Sequence, residues 1–212
     1  MLTRDHLAWA LALLLSTVAG PAWADCLAGD EHTTVGDQFL RLRKVADTFS
    51  TRFYYIGTLP GPTGPIDPIA TGLRLVVAVP GAGIETIDVT IPPGAYNQID
   101  GLGWSTGHPG TYFYRDSLGN QKGIMRVLVK QVASGDLKIS LFGQNGNFPL
   151  PLTETEYPVD PVNPGDDPFD LQIPIAATVM LPRVPPATTD LCGEGALTVC
   201  RYRNQGRKLL CN

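Results

Sequence analysis

Glycine and proline leave this chain little room for long helices. They number 23 and 19 among 212 residues and recur every few positions. Proline removes a backbone donor and glycine weakens a helix interior, so long helices cannot run through such punctuation. Between the breaks lie short runs rich in β-branched and aromatic residues, the rhythm of strands and turns. No stretch after Ala24 sustains an apolar repeat of about 3.6 residues over three turns. The best helical candidate, residues 38–47, alternates Phe39, Arg41 and Arg43 against Leu40 and Leu42, which is the period of a strand. The expected fold is all-β: an antiparallel β-sandwich with a C-terminal disulfide-bonded hairpin.

The clearest strand is 73–79 (LRLVVAV), closed by Pro80-Gly81. Residues 86–91, stopped by Pro92-Pro93-Gly94, and 111–115 follow. Strands 124–132 and 137–143 flank Ser134-Gly135, a hairpin turn. A two-residue loop there sets Val132 against Leu137 and Leu128 against Leu141. Residues 175–181 give another strand. The proline-rich stretch 149–174 is expected to be a surface loop. Residues 196–211 read as a last hairpin, outside the main sheets and pinned by disulfides. The chain then divides into a leader at 1–24, a sandwich domain at 25–184 with its strands from residue 36 onward, and a stapled tail at 185–212.

Export follows from the leader. Arg4 precedes an apolar run from Leu7 to Val18, and Ala22-Trp23-Ala24 forms a small-residue cleavage site. The run of about 12 residues is too short to cross a hydrocarbon core of about 30 Å. Asp25 separates the site from Cys26, which argues against lipidation and for a free mature chain from Asp25, with no membrane span. Cleavage removes Arg4 and Asp5, so the net charge stays at −4, and it leaves two histidines and Trp104 alone among tryptophans. Mild acidity without a basic run gives no reason to expect nucleic acid or an anionic membrane as partner. The expected location is secreted: extracellular, at the cell surface or in the periplasm.

All four cysteines, Cys26, Cys192, Cys200 and Cys211, lie beyond the leader. An even number in an exported chain points to disulfides. Zinc sites bring cysteines two to four residues apart, and the closest pair here, Cys192 and Cys200, is spaced wider. Across a hairpin turning at Gln205-Gly206, Cys200 stands opposite Cys211, within disulfide reach. Cys26 and Cys192 are left to tie the N-terminus to the start of the tail. A three-residue loop would instead set Cys200 against Leu210.

One stretch has a wider likeness. Gly110-Thr111-Tyr112-Phe113-Tyr114-Arg115-Asp116, Leu118-Gly119 and the strand Gly123 to Lys130, followed by residues 135–151, form an aromatic run ending in an acid, a glycine and paired strands. The pattern, over roughly Ile99 to Leu181, resembles secreted β-domain proteins of environmental bacteria whose function is unassigned. The resemblance implies a β domain of bacterial origin and carries over no activity or site residue.

Catalytic patterns fail on context. Gly103-Trp104-Ser105-Thr106-Gly107 matches the nucleophile elbow G-x-S-x-G, with His108 beside it. An elbow needs a strand before the serine and a helix after it, and its histidine comes last in the chain. Here Pro109 and Gly110 follow, then Tyr-Phe-Tyr, and no later histidine exists. His32 and His108 share no metal-ligand spacing. Gly81-Ala82-Gly83 lacks the rest of a dinucleotide fingerprint and reads as a turn. The acidic loop Asp160, Asp166, Asp167 and Asp170 offers Ca²⁺ oxygens without an EF-hand pattern, and a solvated loop is the simpler reading. No metal or other cofactor is therefore expected.

The remaining candidates are aromatic. Tyr112 and Tyr114 share a strand face, and with Trp104 they form either a platform for a sugar or protein partner or part of the core. The function expected is a secreted, non-enzymatic β-sandwich that binds or scaffolds an extracellular glycan or protein. The alternative is a carboxylate-dependent hydrolase of extracellular polysaccharide.

Overall fold

A computed structural model describes residues 26, 29–44, 51–62, 64–79, 84–146, 148, 175–183, 190–197, 200–203 and 208–212. The segments expected to form a leader (1–24), a surface loop (149–174) and a glycine turn (81–83) lie outside the described residues. The alternation of apolar and polar residues produces two sheets packed face to face. The smaller runs in the order β1 (Glu31–Thr34), β11 (Leu191–Leu197), β10 (Ile175–Leu181), β4 (Leu73–Val79) and β5 (Ile84–Ile91). The larger runs β12 (Cys200–Arg203), β13 (Lys208–Cys211), β2 (Gly36–Lys44), β3 (Thr51–Leu59), β9 (Leu137–Gly146), β8 (Ile124–Gln131), β7 (Thr111–Asp116) and β6 (Leu102–Thr106). Neighbours are antiparallel except β1 and β11, which are parallel. A single turn of helix, α1 (Pro68–Thr71), is capped by Asp67, whose carboxylate accepts from the Ile69 N–H at 3.0 Å.

The core lies between the sheets. Phe53, Tyr55 and Leu59 of β3 and Leu40 and Leu42 of β2 are fully buried against Leu75, Val77, Val89 and Ile91 of the smaller sheet. Gly193 and Gly195 let β11 approach closely: a side chain at Gly193 would collide with Leu59 and one at Gly195 with Gln38. A larger residue at either position would force the sheets apart.

The 131–137 hairpin differs from expectation by one residue. Gln131 faces Leu137, Val129 faces Ile139, Val127 faces Leu141 and Leu128 faces Ser140. The turn holds one more residue than a two-residue loop: the Val132 N–H donates to the Asp136 carbonyl at 2.8 Å, and Gly135 sits at φ +92°. The one-residue slip turns Val127, Val129, Ile139 and Leu141 inward together and Leu128 outward.

The tail is also placed differently from expectation. β11 is interior to the smaller sheet, and β13 pairs with β2, setting Leu209 opposite Leu42 and Cys211 opposite Leu40. Leu209 and Cys211 are fully buried, so the hairpin extends the larger sheet. The cysteines pair as the hairpin register requires, Cys200 with Cys211 directly opposite and Cys26 with Cys192.

Candidate functional site

Every second side chain of a strand points away from the core. On the larger sheet many of those outward positions are cationic. Arg43 stands directly opposite Arg52, and Lys208 opposite Arg43. Arg115 faces Arg126, and Lys130 faces Lys138. With Arg41 these make eight cations, all exposed except the half-buried Lys208. Among the described residues no acidic side chain occupies an outward position of β3, β6, β7, β8, β9 or β13, or of β2 from Phe39 onward. Nor does any of the eight form an ion pair among the described residues.

The smaller sheet is organised differently. There Arg74 donates to both carboxylate oxygens of Asp88, at 2.9 and 3.2 Å. That bond, helped by the charges of Arg74 and Lys122 and opposed by partial burial, holds the Asp88 carboxyl below its ordinary range. Arg183 likewise pairs with Glu31.

Rings lie between the cations of the larger sheet. A groove of about 710 Å³ is lined by Phe113, Arg115, Arg126, Leu128, Ser140 and Phe142. A second hollow, about 140 Å³, is lined by Arg41, Arg43, Arg52, Tyr54, Phe142 and Lys208. Phe142 lines both, so the two hollows adjoin along one track across this face. The Arg41 guanidinium lies 5.6 Å from the Tyr54 ring centroid, within cation–π range, and Phe39 meets that ring edge-on at 6.2 Å. The track crosses from β13 to β7 through β2, β3, β9 and β8, a span of about 24 Å at the spacing of neighbouring strands.

The aromatic residues singled out from sequence belong to the core, which corrects the platform reading. Trp104 and Tyr114 are each 1% exposed, and their rings pack at 5.3 Å. The Trp104 indole N–H donates to the Pro92 carbonyl at 2.9 Å. Tyr112 shares the inward face with Tyr114; it is half-buried and its hydroxyl donates to the Ile66 carbonyl at 2.9 Å. Burial raises the Tyr112 pKa, and the charge of Asp67 adds to it. Burial raises the Tyr114 pKa far more, with a contribution from Asp116. The ring that does reach solvent on this strand is the neighbour between them, Phe113, 38% exposed.

Ser105 lies in strand β6, with its hydroxyl oriented to the Phe113 carbonyl at 3.4 Å. His108 is exposed on the turn that joins β6 to β7, where its carbonyl accepts from the Thr111 N–H. His32 is exposed on edge strand β1. Cys26, Cys192 and Glu194 come close enough to hold a metal, but both thiols are consumed in the disulfide, and Glu194 accepts from the Cys26 N–H at 2.7 Å. Asp160, Asp166, Asp167 and Asp170 lie outside the described residues.

Sequence reading missed the cationic track because no segment holds more than a fraction of it. Its local signal is the i, i+2 pairing of Arg41 with Arg43 and of Phe113 with Arg115 on strands. Compared with known proteins, the chain matches no family model, no curated protein and no solved structure.

Proposed function

We propose that this chain is an exported, non-catalytic binding module that presents the outer face of its eight-stranded sheet to a glycan or protein outside the cytoplasm. The observation that carries the reading is the groove of about 710 Å³, walled by rings and guanidinium groups on the outer face of the larger sheet. A hydrolase of polysaccharide needs two carboxyl groups facing its substrate. Among the described residues along the groove the carboxylate is Asp116, which is 1% exposed. Its oxygens accept from the Leu118 N–H, the Asn120 amide and the Gln121 N–H, an assignment to turn structure. Two disulfides are compatible with an extracellular or periplasmic site of action. A bacterial source, implied by the resemblance of residues 99–181, belongs to the same proposal.

A glycan array read beside a hydrolysis assay tests it. The expected result is retention of a ligand that Phe142→Ala weakens, with no product released. Release of sugar from any retained ligand overturns the non-catalytic reading.

A further inference from the structure

We infer that the track on the outer face of the larger sheet binds a linear acidic polysaccharide, one carrying carboxylate, sulfate or phosphate groups along its length. The inference rests on the reading of this face as the binding face. Its warrant is the pattern of charge. Arg43 with Arg52, Arg115 with Arg126, and Lys130 with Lys138 are directly opposed like charges, and Lys208 adds a third cation to the first pair. Such pairs destabilise a sheet, and among the described residues no acid stands between them. The chain as a whole is acidic, at −4, and the described acids that it places elsewhere include partners for Arg74 and Arg183. Among the described residues, then, acids compensate cations elsewhere in this protein and not on this face. A polyanion supplies it.

The rings select among polyanions. Tyr54 and Phe142 stand side by side between Arg41 and Arg126, and Phe113 lies two residues before Arg115 on its strand, offering flat apolar contacts to sugar faces between the anionic substituents. The groove is concave, and a single chain can lie in it where a planar array of lipid headgroups cannot. Two disulfides fit an oxidising compartment, apart from the nucleic acids of the cytoplasm.

The test uses the exported chain in binding titrations at low and physiological salt. Heparin and polygalacturonate serve as sulfated and carboxylated probes. Dextran is the neutral probe, with phosphatidylglycerol vesicles and single-stranded oligothymidylate beside it. The expected result is binding to at least one acidic glycan, weakened by salt, with dextran unbound. Arg115→Gln with Arg126→Gln should lower that affinity about tenfold, since each exposed charge contact contributes up to a few-fold. Phe142→Ala should lower it as well. Lys122→Gln, a cation off this face whose ammonium donates to the Asp88 carbonyl, should leave it unchanged.

Glycan binding that Phe142→Ala weakens and the arginine substitutions do not would overturn the inference and leave the module reading standing. Loss of both, with no glycan or protein held on this face, would overturn both. Tighter binding to vesicles or oligothymidylate than to any acidic glycan would overturn the inference in favour of that partner. Salt-sensitive self-association abolished by the same substitutions would assign the face to a second copy of the chain.

Discussion

The ring of Trp104 lies against that of Tyr114, its directly opposed partner on the neighbouring strand, with centroids 5.3 Å apart and planes inclined by 56°. Both are buried, yet they differ in polar satisfaction. The indole N–H is bonded to Pro92, whereas the Tyr114 hydroxyl has no partner among the described residues. Trp104→Ala should therefore cost about 3–5 kcal/mol of unfolding free energy. Tyr114→Phe should be neutral or stabilising by up to about 1 kcal/mol, because it removes a buried unsatisfied hydroxyl. Urea unfolding of the two variants checks both; a loss above about 1 kcal/mol in Tyr114→Phe would reveal a hydrogen bond to that hydroxyl.

The like-charged pairs predict stabilisation on neutralisation. Arg115→Gln should raise stability by about 0.2–1 kcal/mol at low salt, the scale of cross-strand pairs, and the gain should shrink as salt screens the repulsion. Asp88→Asn on the smaller sheet should act in the opposite direction, costing up to about 1 kcal/mol through loss of a partly exposed ion pair. Melting temperatures at low and high salt measure both. Destabilisation by Arg115→Gln would mean that its charge is already compensated.

The two disulfides should contribute unequally. Cys200 and Cys211 are separated by 11 positions and Cys26 and Cys192 by 166. On the loop-entropy account the short bridge is worth about 3 kcal/mol and the long one about 5. Paired Cys→Ser variants compared by urea unfolding give the difference. A larger loss from the short bridge would show that its buried contacts beside Leu40 and Leu209 outweigh chain entropy.

Alkaline pH should unfold the protein through its tyrosines. Burial raises the pKa of Tyr55, Tyr114 and, less strongly, Tyr112 above the ordinary value of 10.0. A phenol whose folded pKa is raised favours the folded state below the unfolded pKa, and that stability is lost as pH rises past it towards the folded value. Stability should hold up to about pH 10 and fall above it. Tyrosinate absorbance followed with pH should show these three ionising late, with unfolding. Early ionisation of all seven tyrosines would contradict their burial.

Strand content was legible where alternation was clean. Leu73–Val79 has the bounds read from sequence, and β2 shows Leu40 and Leu42 buried with Arg41 and Arg43 exposed, as the period of two requires. Thr51–Leu59 went unread although Phe53, Tyr54, Tyr55 and Ile56 are strong strand formers, because two-sided apolarity hides the period. β6 was obscured by its glycine. Gly103 adopts φ +118°, and a Cβ there would sit 2.5 Å from the Ala95 carbonyl oxygen. That glycine marks a close backbone approach inside a strand, at a position where the sequence shows no strand signal.

The candidate site was less legible than the fold. Large aromatic residues drew attention to Trp104, Tyr112 and Tyr114, yet size favours burial as readily as recognition. The exposed ring, Phe113, stood between them.

By itself the sequence determined the all-β class and most strand positions, and it favoured the cysteine pairing that the structure shows, through local rules: the period of a strand, the chemistry of turns, the register of a hairpin. The tertiary structure alone decided which sheet each strand joins, such as β3 beside β9 or β13 beside β2. It also decided the charge of the larger sheet's outer face. Those cations come from β2, β3, β7, β8, β9 and β13, one or two per strand, and no stretch of chain is basic enough to reveal them. Net charge sums over the whole molecule, whereas a partner meets a surface. Only the pairing of distant strands turns scattered arginines and lysines into one.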